Sequence, residues 1–168
     1  AGWGLWLSDG TVVRSSSGRL SGKQTNDGAE AMGVLQAMLS VHPSDDLEVY
    51  CDNQGCISKW SKCGRTNPLQ WGFRAIWLRI LGLMATRKDA GGSTAIHWVH
   101  SHFDDEVRRV SNKGKMQCAC RGGGATECDP SHEHHMGNGR ADELAKKGAA
   151  KVRSMELADA AMGEMWFT

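Results

Sequence analysis

Three carboxylates stand where one kind of secondary structure gives way to another. Glu30 falls in the first turn of a helical stretch, Asp52 at the end of an alternating strand, and Asp142 at the start of the last helical pattern. Acids converging from separate elements suit metal-assisted phosphoryl chemistry, because hard Mg2+ takes oxygen ligands and the substrate phosphate supplies the rest. Each acid also has a structural reading. Glu30 follows Asp27 by three residues, as in a capping box with Asp in place of Ser or Thr, while Asp52 and Asp142 could cap a helix or complement its dipole.

A second constellation is chemically distinct. Cys118, Cys120, Cys128, His132, His134 and His135 put thiols and imidazoles into a stretch almost without apolar residues. Zinc favours tetrahedral sets of sulfur and nitrogen, and its binding would order a Gly-rich loop that lacks a core of its own. The spacing favours Cys118, Cys120, Cys128 and His132 as ligands of one structural zinc, with His134 or His135 as substitutes. The alternative is a loop with incidental thiols, since Cys-x-Cys is tighter than the usual gap between zinc ligands.

The elements that must position these groups are legible from periodicity. Residues 2 to 7 and 11 to 20 flank Ser8-Asp9-Gly10-Thr11, a hairpin signal. A helix is expected from about 28 to 40 on the stripe Met32, Leu35, Met38, Leu39, with a cap in the preceding Thr25-Asn26-Asp27. Leu47, Val49 and Cys51 alternate in a strand ending at Asp52, and Asn53-Gln54 open a second helix through Ile57 and Trp60. After Pro68, Trp71, Ile76, Trp77, Ile80, Leu81 and Met84 read as a third helix ending near Lys88, and Thr94 to Val99 as a strand. A last helix is expected from Ala141, and Met165-Trp166-Phe167 as a short apolar end that could be a strand. The order suits an α/β fold, a mixed sheet covered by helices.

Length and composition bound the reading. A chain of 168 residues with 40% hydrophobic content is long enough for one sizeable core and short for two, so residues 1 to 168 are expected to form one domain with a Cys/His-rich insert at 103 to 136. Twenty Lys and Arg against nineteen Asp and Glu exclude a polycationic tail and leave any nucleic-acid contact to a local patch. Lys59, Lys62, Arg65, Arg74, Arg79, Arg87 and Lys88 could form such a face, whereas Trp60, Trp71 and Trp77 at helical spacing are assigned to packing. Arg108, Arg109, Lys113 and Lys115 could touch phosphates or form a solvated run. Cys51, Cys56 and Cys63 sit in periodic segments as small core residues, which favours a reducing compartment over disulfides. No apolar run approaches membrane-spanning length. An intracellular location, cytoplasmic or nuclear, is expected.

Four stretches, Thr25-Asn26-Asp27-Gly28-Ala29-Glu30, Tyr50-Cys51-Asp52-Asn53-Gln54, Trp98-Val99-His100-Ser101-His102 and Gly137-Asn138-Gly139-Arg140-Ala141-Asp142-Glu143-Leu144-Ala145, stand in the order and contexts of the ribonuclease H family. With its insert the chain most resembles the ribonuclease H domains of retroelement (retrotransposon) polyproteins. The resemblance implies a mixed five-stranded sheet flanked by helices, and hydrolysis of the RNA strand of RNA/DNA hybrids by two Mg2+ ions, Mn2+ being a substitute. It assigns Glu30, Asp52 and Asp142 to the metals and His102 to the position of a mobile catalytic histidine. Asn26 and Gln54 match residues that read the minor groove of the hybrid, where 2′-hydroxyls mark RNA, and Thr25 matches a contact to the DNA-strand phosphate. Asp27 stands where many relatives carry an amide. A reverse transcriptase domain of the same polyprotein is an implied partner.

The family's first strand ends in a further metal-ligating Asp and precedes a Gly-Trp-Gly type start such as Gly2-Trp3-Gly4. That Asp is absent, and Met165-Trp166-Phe167-Thr168 looks like the missing strand. The first strand is therefore expected to be missing or supplied by the C-terminus, as in a circularly permuted chain with residues 164 to 168 between the first strand and the Leu47 strand. A broken polypeptide, a sequence that omits disordered or unassigned residues, and an apolar end that merely covers the core are the alternatives. Without the fourth acid, a catalytically inactive domain that binds nucleic acid or scaffolds an assembly is the competing function.

Overall fold

A computed structural model describes residues 1–100, 118–121, 128–129 and 131–151. His102, the basic residues at 108, 109, 113 and 115, and the expected terminal strand at 164 to 168 lie outside these residues.

The chain opens with a hairpin, β1 (Gly2–Ser8) and β2 (Val13–Arg19), paired antiparallel from Gly2 opposite Arg19 to Ser8 opposite Val13. Its turn is organised by Asp9. The carboxylate accepts from the backbone N–H of Val12 at 2.7 Å and of Thr11 at 2.9 Å, and from the Thr11 hydroxyl at 2.8 Å. These hydrogen bonds hold the exposed Asp9 carboxyl down at about 2. Gly10 takes the left-handed conformation the turn needs, with φ +89°.

Alternation gives β1 two different faces. Leu5 and Leu7 pack toward the core built on α1 (Asn26–Ser40), whose buried residues include Ala31, Val34, Leu35 and Met38. On the other face, a Cβ at Gly2 or Gly4 would fall on the backbone of α4 (Glu133–Ala150), at Ala145 and Ala149 or at Ala141 and Ala145. Glycine in the strand and a small-residue stripe in the helix thus let the two backbones approach closely. Trp6 follows on the same face, its ring against Gly137 and under the Arg140 guanidinium at 5.2 Å.

The second sheet is β3 (Leu47–Cys51) and β4 (Thr94–Trp98), paired in parallel from Leu47 opposite Thr94 to Cys51 opposite Trp98. Between them run α2 (Gln54–Lys62), a 3₁₀ turn at Pro68–Gln70 and α3 (Arg74–Asp89). Trp77 and Ile80 are buried in the main core, with Trp60 and Trp71 against it, as expected of packing tryptophans. Trp71 lies before α3, not in it: the helix starts only at Arg74, after Phe73 at φ +59°.

Among the described residues the architecture is mixed α/β, with four α-helices and two two-stranded sheets, β1-β2 and β3-β4. β1 and β3 each have a partner on one side, and a groove of about 840 Å³ runs along both, lined further by α1 at Gly33 and Val34 and by α4 at Gly137. No helix among these residues is long and apolar enough to cross a membrane.

Two expectations need correction. The last helix begins at Glu133, inside the stretch assigned to the insert, because the His132 ring caps it by accepting from the His134 N–H at 3.3 Å. Arg87, assigned to a basic binding face, is 1% exposed. Its guanidinium donates to the Thr94 hydroxyl and to the carbonyls of Val41, His42, Asp45 and Ser93, so it ties α3 to both ends of the 41–46 connection and cannot reach a phosphate.

Candidate functional site

The N-termini of α1 and α2 lie side by side. Thr25 is the N-cap of α1, its hydroxyl accepting from the Gly28 N–H at 3.2 Å, so the cap falls on Thr25 and not on Asp27. Asn53 caps α2, accepting from the Cys56 N–H at 2.9 Å. Asp27, exposed in the first turn of α1, accepts from the Asn53 amide at 3.1 Å and pairs with Lys59 at 3.6 Å, which joins the two helix starts. Asn26 and Gln54 are therefore the opening residues of adjacent helices, the first exposed and the second half-buried.

Glu30 and Asp52 meet behind these starts. Carboxylate oxygens of both and Sγ of Cys51 lie within 4.8 Å of one another. Asp52 owes its place to the end of β3: the Trp98 indole N–H donates to the Asp52 carbonyl at 3.0 Å, and the Val99 N–H to that of Cys51 at 3.1 Å. From α4, the Asn138 amide reaches Asp52 Oδ2 at 3.4 Å. Asp142, one turn further along α4, stands outside the 4.8 Å group, yet its charge is felt at Glu30. Burial first, and then the negative charges of Asp52 and Asp142, push the Glu30 carboxyl up to about 7. The Cys51 thiol, 3.7 Å from Glu30 Oε2, is raised by its hydrogen bond with Cys56 and by burial, and so stays a thiol. Two half-buried carboxylates with a third nearby form an oxygen-rich, negatively charged set that a hard divalent cation would neutralise.

The cysteine and histidine residues form a separate site. Cys118, Cys120, Cys128 and His135 each offer one ligand atom within 4.8 Å of the others, and this group could hold a metal ion. Cys118 Sγ is 3.3 Å from Cys120 Sγ and 3.6 Å from His135 Nε2, and Cys120 Sγ is 2.9 Å from that nitrogen. Of the three histidines weighed from sequence, His135 is the one brought to the thiols. His132, the favoured ligand, is occupied as the α4 cap and stacks on His134 at 4.4 Å. His134 packs on Tyr50, ring centroids 3.8 Å apart. All six cysteines are free thiols.

Sequence reasoning did not single out Asn138 for a contact with Asp52. Its signal was its place in the Gly137-Asn138-Gly139 motif, four residues before Asp142 and so on the same side of a helix. No protein-family model matches the chain, and no curated protein matches it.

Proposed function

We propose that this chain is a ribonuclease H-like nuclease that hydrolyses the RNA strand of RNA/DNA hybrids with Mg2+. The observation that carries this reading is the meeting of Glu30 and Asp52, from α1 and the end of β3, within the negative field of Asp142 on α4. Glu30, Asp52 and Asp142 would hold the metal, and an all-oxygen donor set fits Mg2+ or Mn2+. A bound ion would supply a water of lowered pKa for attack on the scissile phosphate and would offset charge on the departing 3′ oxygen, chemistry that gives 5′-phosphate and 3′-hydroxyl ends. The chain's own part is to orient. Asn138 holds Asp52 through its amide, and the Trp98 indole fixes the Asp52 backbone. Thr25, Asn26 and Gln54 open adjacent helices whose N-termini suit phosphate and minor-groove contacts. His102 keeps the role the family resemblance gives it.

In the same reading the sheet has five strands, and the groove between β1 and β3 is the place of the missing one, since each lining strand is paired on one side only among the described residues. Zinc is the ion proposed for the Cys/His group, on the strength of its three thiols and imidazole. A reverse transcriptase domain of a retroelement polyprotein remains the proposed partner.

A second reading has one observation in its favour: Asp142 stands outside the Glu30 and Asp52 group. It makes the chain an inactive ribonuclease H-like module that binds nucleic acid or scaffolds an assembly. Cleavage of a labelled hybrid with Mg2+, set beside Asp52→Asn, separates the two. The nuclease reading expects cleavage that the substitution abolishes. Equal activity in both would overturn it, and hybrid binding without Mg2+-dependent cleavage would select the second reading.

A further inference from the structure

The Cys/His group lies where the start of α4 meets the chain just past β4. Cys118 is 1% exposed and His135 7%, and both contact the chain just past β4. The His100 N–H donates to Cys118 Sγ at 3.3 Å, and His135 Nδ1 is 3.0 Å from the His100 carbonyl oxygen. With Nδ1 donating there, Nε2 carries the lone pair toward the thiols, the arrangement by which a backbone carbonyl fixes the tautomer of a metal-binding imidazole. Val99, fully buried, and Trp98 pack with Cys118 and, less deeply, with Cys120 and Cys128. Cys128 is followed by a tight turn in which Asp129 accepts from the Ser131 N–H at 2.8 Å and hydroxyl at 2.7 Å, and the His132 N–H donates to the Asp129 carbonyl at 3.1 Å. That turn delivers the chain into α4, whose first turn presents His135.

We infer that a zinc ion bound by Cys118, Cys120, Cys128 and His135 is a structural clamp that fastens the start of α4 to the end of β4. Zinc bonds of about 2.3 Å to sulfur and 2.0 Å to nitrogen give ligand tetrahedra with edges of roughly 3.5–3.8 Å. The separations of 2.9 to 3.6 Å among Cys118, Cys120 and His135 need only a small expansion to accept the ion, and Cys128 Sγ lies within 4.8 Å of each. Three thiolates and one imidazole exclude Mg2+ and Ca2+ as occupants and fill a tetrahedron, leaving no position for a reacting water. The clamp acts on position. Asn138 lies one turn beyond His135, so fixing His135 against His100 also sets the reach of the Asn138 amide to Asp52. This inference stands on the Cys/His geometry alone and holds whether or not the carboxylates cleave anything.

The test uses the whole chain, its thiols kept reduced, with Co2+ in place of zinc. The expected result is one Co2+ per chain, with thiolate-to-cobalt charge-transfer absorption and the intense visible bands of a tetrahedral site, both displaced by one equivalent of Zn2+. His135→Ala is expected to weaken Co2+ binding at least tenfold, whereas His132→Asn, which removes the imidazole and keeps a capping side chain, leaves the spectrum unchanged. Hydrogen exchange is the second readout: metal removal is expected to raise exchange in residues 133 to 142 and to leave the β1-β2 hairpin protected. Absence of the bands, or equal effects of the two histidine substitutions, would overturn the ligand assignment. Unchanged exchange at the start of α4 would overturn the clamp.

Discussion

The Asn138 amide reaches Asp52 at 3.4 Å across 86 positions of sequence, joining the first half of α4 to the end of β3. A carboxylate that must hold a cation is steadied by such a donor, which occupies one lone pair and leaves the others directed at the metal. Asn138→Ala is therefore expected to weaken Mn2+ binding at the Glu30 and Asp52 site about tenfold, in line with the usual cost of losing an outer partner. Titration calorimetry of the zinc-loaded protein would measure it. Unchanged affinity would mean that the amide does not orient Asp52.

Glu30 gives the protein a pH dependence of definite sign. Its folded pKa of about 7 lies above the ordinary value of 4.5, raised by burial and by Asp52 and Asp142. Between these values the folded state holds a proton the unfolded chain has lost, so stability is greatest below the unfolded pKa and falls as pH rises to about 7. At about 1.4 kcal/mol per unit the loss is at most about 3.5 kcal/mol. Glu30→Gln is expected to remove this slope and to melt above the wild type at pH 8 without added Mg2+. Adding Mg2+ should then stabilise the wild type and not the variant. Melting curves at pH 5 and pH 8 supply the check, and parallel pH dependence in both proteins would contradict it.

What could be read in advance follows from which forces are periodic. Met32, Leu35 and Met38 repeat at helical spacing and Leu47, Val49 and Cys51 alternate, so α1 and β3 were legible within a few residues. The carboxylate pair was legible as well, because Glu30 and Asp52 sit at element ends whose positions alternation and capping reveal. The start of α4 was not. Glu133 to Gly139 has no apolar period and two glycines, and its helix depends on the His132 cap, the contact of His135 with His100, and Gly137 beneath Trp6. For the same reason His135 could not be told from His132 by spacing: one turn of helix separates them, and only its direction of entry decides which meets the thiols. Arg87 reads as one of a basic series, since its acceptors are backbone carbonyls that carry no side-chain signature.

Two glycines in regular structure should respond oppositely to alanine. A Cβ at Gly4 would collide with the Ala141 carbonyl and lie 2.7 Å from the Ala145 N, both backbone atoms of α4 that yield only if the helix shifts. Gly4→Ala is expected to cost about 1–3 kcal/mol, as overpacking usually does. Gly82, exposed within α3, has no atom within 4 Å of a built Cβ, and there alanine is expected to stabilise by about 0.5–1 kcal/mol. Urea unfolding of the two variants gives both signs, and a neutral Gly4→Ala would show that β1 does not press against α4.

Arg87 ought to be among the costliest positions to change. A cation 1% exposed is tolerated because backbone carbonyls from Val41, His42, Asp45 and Ser93 surround it, with the Thr94 hydroxyl taking the Nε proton at 2.8 Å. Removing the guanidinium orphans several buried acceptors at once, each worth about 1–3 kcal/mol if left dry. Arg87→Met keeps the stem and is expected to destabilise by about 3 kcal/mol or more. Arg87→Lys should recover little of that loss, because one ammonium cannot reproduce the planar fork that meets acceptors on both sides of the 41–46 connection. Comparing the two by chemical denaturation decides the mechanism: a lysine variant close to wild type would mean that charge, and not the fork's geometry, holds α3 to the start of β3.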